Sequence, residues 1–458
     1  MVRTHRRTRT AAGLRAAVAK TFVLGVVMLW AVPVAFAAPG DLTYTFTGGG
    51  AAIDAPDRGT RIVADGSGTV TLGGDASVDA ATQDIYVYHV DSAGVPQWGG
   101  AWTGTYVASS LSALTVAPVS GNIYAAGVAI GLDGGSDYAV RGWQPDGTTL
   151  IDTLYAGPKK NDEALAVATD GTNVYVTGMS QGLDGDMDIV TVKYNGAGSR
   201  LWVRRFNGRW DRQDRGLAVV VRGSYVYVAG ICSRPDHSFD TVLLKYTTGG
   251  RFKWSRTFDS GNGRTEWVTG AVATGSGVYV CGYGRANASL SSSDALLLKY
   301  SATGNRVWAK WVAGARGGGD AWMDIGVTSG GALNVTGSVH RSATGTDIAT
   351  ASYRSAGTRR WIAYVSSAGD QDDRGSGIAI AGDGRTYVGG DIAGATDPDL
   401  AGICYGGDGT MEWSSHWDSS FGADYGNDVA VTSNRVWVVG TQATPSFGDD
   451  IIVVGFER

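Results

Sequence analysis

The sequence predicts an all-β chain folded as an eight-bladed β-propeller of four-stranded antiparallel blades, closed by pairing of its N- and C-terminal strands. Three observations carry this prediction. One motif recurs eight times at intervals of 51 to 54 residues, each copy holds four strand-like segments, and the two ends of the chain complement one another. The composition agrees: 70 glycines, 15 tryptophans and 20 tyrosines in 458 residues suit many short strands joined by tight turns, and 43% hydrophobic residues supply a large core.

The register of the repeat is set by the aspartates that open one apolar strand: Asp84, Asp137, Asp188, Asp240, Asp294, Asp347, Asp399 and Asp450. Six residues after each stand Val90, Trp143, Tyr194, Tyr246, Tyr300, Tyr353, Tyr405 and Phe456, aromatic in seven of eight copies. Ten residues after the aspartate comes a hairpin glycine able to take positive φ, from Gly94 in the first copy to Gly409 in the seventh. Four residues beyond it are Trp98, Ile151, Trp202, Trp254, Trp308, Trp361 and Trp413, opening a second strand. A small, apolar third strand (Ala164 to Ala168, Leu217 to Val221) and a fourth of the type Val174-Tyr-Val-Thr-Gly178 complete the blade. The last copy stops after Phe456, while Asp41 to Phe46 reads as the strand that should follow, so the ends are expected to build the eighth blade together.

Ahead of this domain, residues 1–37 read as an export signal. Arg3, Arg6, Arg7, Arg9, Arg15 and Lys20 precede an apolar run from Phe22 to Phe36, and Ala35-Phe36-Ala37 offers a cleavage site. An uncleaved anchor is the alternative, disfavoured by the short run and by Pro33. The remaining 38–458 is expected to be one secreted, monomeric domain. It keeps 32 Lys and Arg against 43 Asp and Glu, a net charge near −11 that excludes nucleic acid and anionic membranes as natural partners. Cys232, Cys281 and Cys404 fall in three different repeats, which argues against a disulfide framework.

The repeat unit, Asp-x-x-x-x-Lys-Tyr at 188–194, 240–246 and 294–300 followed by Gly-x-x-x-Trp, Asp-Arg-Gly and a Val-Tyr-Val-x-Gly strand, resembles the SBBP β-propeller repeat family over residues 41–458. The resemblance implies an extracellular repeat domain of bacterial type and no shared chemistry. The family name implies seven blades, whereas this chain counts eight.

Candidate sites lie where the repeat carries charge or departs from itself. An acid precedes the small apolar strand in seven copies, Asp57, Asp162, Asp214, Glu266, Asp320, Asp373 and Asp424, with Leu111 read into the eighth slot. If that strand is innermost, these acids ring one mouth of the channel, where they bind a cation or sugar or, the preferred reading, fix a turn through backbone amides or the arginines of Asp57-Arg58, Asp214-Arg215 and Asp373-Arg374. Trp267, Trp322 and Tyr425 stand at or beside positions that hold Arg or Gly elsewhere, and Arg209, Trp210 and Arg212 precede Asp214. Aromatic rings beside charged hydrogen-bonding groups suit carbohydrate, so these six are the candidate ligand-binding residues, the alternative being that the aromatics pack under their neighbours. Asp184, Asp186 and Asp188 alternate in a loop that could hold Ca²⁺, although no cofactor is required by the sequence.

The mature histidines, His89, His237, His340 and His416, scatter over unrelated repeat positions, and there is no nucleophile elbow. His89 is expected to be an exposed strand residue. The function expected is therefore a non-catalytic binding scaffold for a glycan or a protein of the cell envelope. The alternative is a quinone-dependent or other propeller-fold enzyme, since Gly198-Ser-Arg-Leu-Trp202 and Gly304-Asn-Arg-Val-Trp308 are also similar to the docking element of pyrroloquinoline-quinone propellers.

Overall fold

A computed structural model describes residues 38–458 apart from 49–56, 66, 80–81, 103–107, 262–263, 287–291, 316–317, 342–344, 368–370 and 445–448; the export segment 1–37 lies outside the described residues. The described residues form eight four-stranded antiparallel sheets arranged as a propeller. Blades 1 to 7 are continuous in sequence, at 58–101, 108–155, 162–206, 214–258, 267–312, 321–365 and 374–417, each running from its innermost strand to its outermost.

Blade 8 is composite. Strands Tyr425–Val431, Arg435–Ala443 and Asp449–Glu457 take the three inner places, and Leu42–Gly48 adds the outermost one. The register sets Leu42 against Phe456 and Gly48 against Ile451, so the termini pair as the sequence predicts. At the axis, Asn427 Nδ2 donates to Gly59 O at 2.8 Å and Ile62 N to Asp428 Oδ2 at 3.1 Å, joining the inner strands of blades 8 and 1.

The small apolar strand is innermost because a crowded axis admits few large side chains. Every inner strand is bulged, and the second strand meets each bulge with a glycine, as at Gly178, Gly230 and Gly282. A Cβ on Gly178 would lie 1.9 Å from Glu163 O, so the glycine of the Val-Tyr-Val-x-Gly segment is demanded by backbone approach. The core consists of seams between neighbouring blades: Tyr279, Cys281 and Leu297 of blade 5 pack on Trp322, Val335 and Tyr353 of blade 6, all buried. The three cysteines are buried free thiols.

In four blades the recurrent tryptophan latches its blade to the next through a hydrogen bond. Trp98, Trp202, Trp308 and Trp361 donate their indole N–H to a carbonyl in the following blade's outer hairpin, those of Pro145, Thr248, Ser355 and Gly407. In the same hairpin a glycine at φ near +90° lies against the ring: a Cβ on Gly357 would stand 3.0 Å from Trp308. The N-terminal segment supplies the eighth copy of both features. Gly40, at φ 88, sits against Trp413, and Tyr44, four residues on, sits against Gly94. Trp308→Phe should keep the packing and lose the bond to Ser355 O, lowering the unfolding free energy in urea by about 1 kcal/mol; an unchanged midpoint would show that the Lys299 Nζ bond to the same oxygen, 2.7 Å long, suffices.

Two positions differ from expectation. His89 is 4% exposed rather than facing solvent, bonded through Nδ1 to Thr71 Oγ1 at 2.8 Å and stacked on Trp98. Its slot is the one whose lysines reach under the next hairpin, which is a buried place. The acid slot of blade 2 is held by Ser109, not Leu111, since Leu111 pairs with Gly127 just as Gly59 pairs with Gly74.

Candidate functional site

Alternating strand direction gives the ring two faces. One carries the hairpins between first and second and between third and fourth strands. The other carries the inter-blade linkers and the turns between second and third strands, and all seven slot acids stand on this linker face.

These acids do not open onto the channel. Asp57, Asp162, Asp214, Glu266, Asp320, Asp373 and Asp424 are all at most 2% exposed. Most are held by backbone amides: Asp320 accepts from Gly314 N at 2.5 Å and His340 N at 2.7 Å, Asp373 from Ser367 N and Ala393 N, and Asp424 from Ser419 N and Ala443 N. Asp57 accepts from Ser77 N, Asp162 from Gly157 N and Asp214 from Gly208 N. The arginine next to Asp373 has another partner: Arg374 bonds Asp391 across the sheet at 2.8 Å. The residue after each acid is the one at the channel rim, and there Arg58 and Tyr425 are exposed and Glu163, Arg215, Trp267 and Arg374 half-buried.

Six of the seven slot acids also lie near the repeat aspartate of the preceding blade. Like-charge repulsion couples Asp137 to Asp162, Asp188 to Asp214, Asp240 to Glu266 and Asp450 to Asp57. Burial followed by this repulsion pushes Asp450 up to about 6. In Asp214 burial is again the main cause of a rise to about 6, with the amide of Gly208 opposing it.

Four of the six expected ligand-binding residues converge on blades 3 to 5. The linker after blade 3 holds Arg209 over the exposed Trp210 ring, 4.6 Å from guanidinium to centroid, and turns through Asp211 at φ 44. Arg212 reaches His237 Nδ1 at 3.2 Å, at the tip of the tight turn 234–238 of blade 4. On one side of that turn lies a cleft of about 670 Å³ lined by Arg209, Trp210, Arg234, Asp236, Asp240, Ser255, Thr257 and Asp259. On the other side, a hollow of about 510 Å³ is bordered by His237, Arg264, Tyr283 and Arg285. Trp267 stacks on Tyr283 at 6.4 Å and meets Phe239 edge-on at 5.7 Å.

The other two do not join them. Trp322 is fully buried in the seam between blades 5 and 6, which corrects its assignment as a ligand contact. It stands two residues after the acid, on the side of the strand that packs inward. Tyr425 is 40% exposed but belongs to blade 8, across the ring.

Beside the cleft, Arg234 bridges Asp240 at 3.1 Å and Asp259 at 2.6 Å. Glu266 stands next to them, one oxygen taking a 2.5 Å bond from Ser260 Oγ; burial first, then the charges of Asp240 and Asp259, push its carboxyl up to about 7. Sequence reasoning does not single out Arg234, Phe239, Asp259 or Tyr283. The available signals are the Glu in place of Asp at this one slot and the longest repeat interval, 54 residues from Asp240 to Asp294. Asp184, Asp186 and Asp188 are not among the acid triplets that come close enough to share an ion in the described residues. Arg205 takes Asp188 at 2.7 Å, while Asp184 is exposed in the turn.

No family model matches this chain, and no curated protein matches it. Among solved structures it is similar, at 11% identity and a TM-score of 0.39 over 75% of this chain and 86% of the other, to a subtype N11 neuraminidase-like protein of A/flat-faced bat/Peru/033/2010 (H18N11). Drosophila Semaphorin 1b, extracellular domains 1-2, is similar at 10% identity with a TM-score of 0.46, over 92% and 87% of the two chains. Likenesses of this size assign no activity. No helix in the described residues is long and apolar enough to cross a membrane.

Proposed function

We propose that this chain is a secreted, non-catalytic binding propeller of the SBBP-repeat type, and that it takes a glycan into the cleft between blades 3 and 4. The observation that carries the reading is the lining of that cleft. An exposed indole, Trp210, shares one opening with Arg209, Arg234, Asp236, Asp259 and the hydroxyl-bearing Ser255 and Thr257. Sugar rings stack their C–H faces on aromatic rings and bond their hydroxyls to charged groups held in fixed positions, and this lining offers both. A protein of the cell envelope is the competing partner.

A glycan array probed with the purified chain tests the proposal. Binding to a defined set of glycans is expected, weakened about tenfold by Trp210→Ala. Because Trp210 is 44% exposed, the variant should unfold at the wild-type temperature. Full-strength binding by the variant, or silence of the wild type on every glycan, would sink the glycan reading.

A further inference from the structure

Blades 4 and 5 meet at a triplet of carboxylates that includes the slot acid, as no other close acid triplet among the described residues does. A junction ordinarily brings together one repeat aspartate and one slot acid. Here Asp259, from the linker, joins Asp240 and Glu266, and one oxygen of each lies within 4.8 Å of the others. Two Ca²⁺–O bonds laid end to end span about 4.6 to 5.2 Å, so oxygens at this spacing fit around one such ion. A second observation is independent of the clustering. Glu266 is 0% exposed, and its Oε2 makes no hydrogen bond among the described residues, while the Ser260 hydroxyl bonds Oε1. A buried carboxylate oxygen without a donor is costly, and a cation at that point would satisfy it.

We propose that Asp240, Asp259 and Glu266 form a divalent-cation site, suited to Ca²⁺, at the junction of blades 4 and 5. All three ligands are hard oxygens, and Asp240 and Asp259 line the cleft, which gives the ion and its waters a way in. Arg234 is the resident counter-charge: one guanidinium faces two of the three carboxylates, and the ion competes with it. The other acid triplet, Asp397, Asp399 and Asp418 in blade 7, lacks the second feature. The slot acid beside it, Asp424, has both oxygens bonded to amides.

Calorimetric titration of the chelator-treated chain with Ca²⁺ alone, at pH 7.5 and with no glycan present, tests the site. One saturable binding event is expected, with a matching rise in unfolding temperature. Glu266→Gln, which keeps the shape and the Ser260 bond, should abolish it. Asp259→Asn, at an exposed position where folding is not at stake, should weaken it at least tenfold. Arg234→Ala should tighten it about tenfold by removing the competing charge. No heat in either the wild type or Arg234→Ala, or unchanged binding in Asp259→Asn, would overturn the proposal. The measurement needs no glycan, so its failure is separable from failure of the glycan reading.

Discussion

Removing Asp450–Arg458 should destroy the cooperative unfolding transition of the whole ring, not only that of the last blade. The segment lies third in blade 8, paired on one side with the strand Arg435–Ala443 and on the other with Leu42–Gly48. Ile451, Ile452, Val453, Val454 and Phe456 are each at most 1% exposed. Ile451 and Val453 fill the seam toward blade 1, and Ile452, Val454 and Phe456 that toward blade 7. Five such side chains at about 2 kcal/mol each contribute about 10 kcal/mol, comparable with the entire net stability of a folded domain. Arg458 adds bonds to Tyr387 Oη, Thr432 O and Asp383.

Opening a ring also exposes two seams, one on either side of the gap, whereas shortening an open solenoid exposes one. Hydrogen exchange distinguishes these outcomes. The truncated chain should lose amide protection in blades 3 to 5, at the far side of the ring, together with blades 7, 8 and 1. Native protection in blades 3 to 5 with fraying confined to the neighbours of the cut would show that closure does not hold the ring together.

The reach and the limits of the sequence share one cause, the repeat. Where all copies obey it, pattern alone locates each strand, the hairpin glycine and the latch tryptophan, because the same packing problem is solved at every seam. The split repeat is half legible: the strand Asp41 to Phe46 stands out as the missing partner, but Gly40 and Tyr44 do not stand out as copies of the hairpin glycine and the tryptophan. A register that runs forward from each aspartate ends with the chain at Arg458. Trp322 lies one residue beyond the channel-rim position, and in a strand one residue exchanges the two faces. The bulge that follows it makes such a slip easy, since it shifts the register between Trp322 and Asp324.

The site is legible only as departures from the pattern. Arg209, Trp210, Arg212 and Trp267 stand out because neighbouring copies have other residues there. Arg234 and Asp259 belong to a turn and a linker, which have no period against which to stand out. Their meeting depends on how blade 4 folds its second turn toward its own outer strand, a tertiary fact.

Raising the pH from 5 to 8 should destabilise this protein, and Asp324→Asn should remove a measurable part of that loss. Asp324 follows the bulge on the inner strand of blade 6, deep in the ring, and accepts the amides of Ile325 at 2.7 Å and of Ile378, on blade 7, at 3.0 Å. Burial pushes its carboxyl up to about 7, and the like charge of Asp428 on blade 8 adds to the rise; the two amides and Arg61 oppose it. The folded chain thus holds a proton between about pH 4 and 7 that the unfolded chain has already released. Stability falls as pH rises through that window and levels off above it. Between pH 5 and 8 a folded value near 7 corresponds to an upper figure of roughly 3 kcal/mol, and the partial exposure of Asp324 to solvent reduces this to about 2 kcal/mol. Glu266, raised by burial to about 7, and Asp391, raised by burial to about 6 against the pull of Arg374, act in the same direction, as do Asp214 and Asp450.

In Asp324→Asn the amide side chain would still accept the inter-blade N–H of Ile378 through its carbonyl oxygen while losing the bond to Ile325. The variant should therefore be less stable than the wild type at pH 5 by about 1 kcal/mol and should match or exceed it at pH 8. Urea unfolding at the two pH values measures both differences. If the wild type and Asp324→Asn lose the same free energy between pH 5 and 8, the channel carboxylate is not the group whose proton the fold retains, and the slope belongs to the acids at the blade junctions.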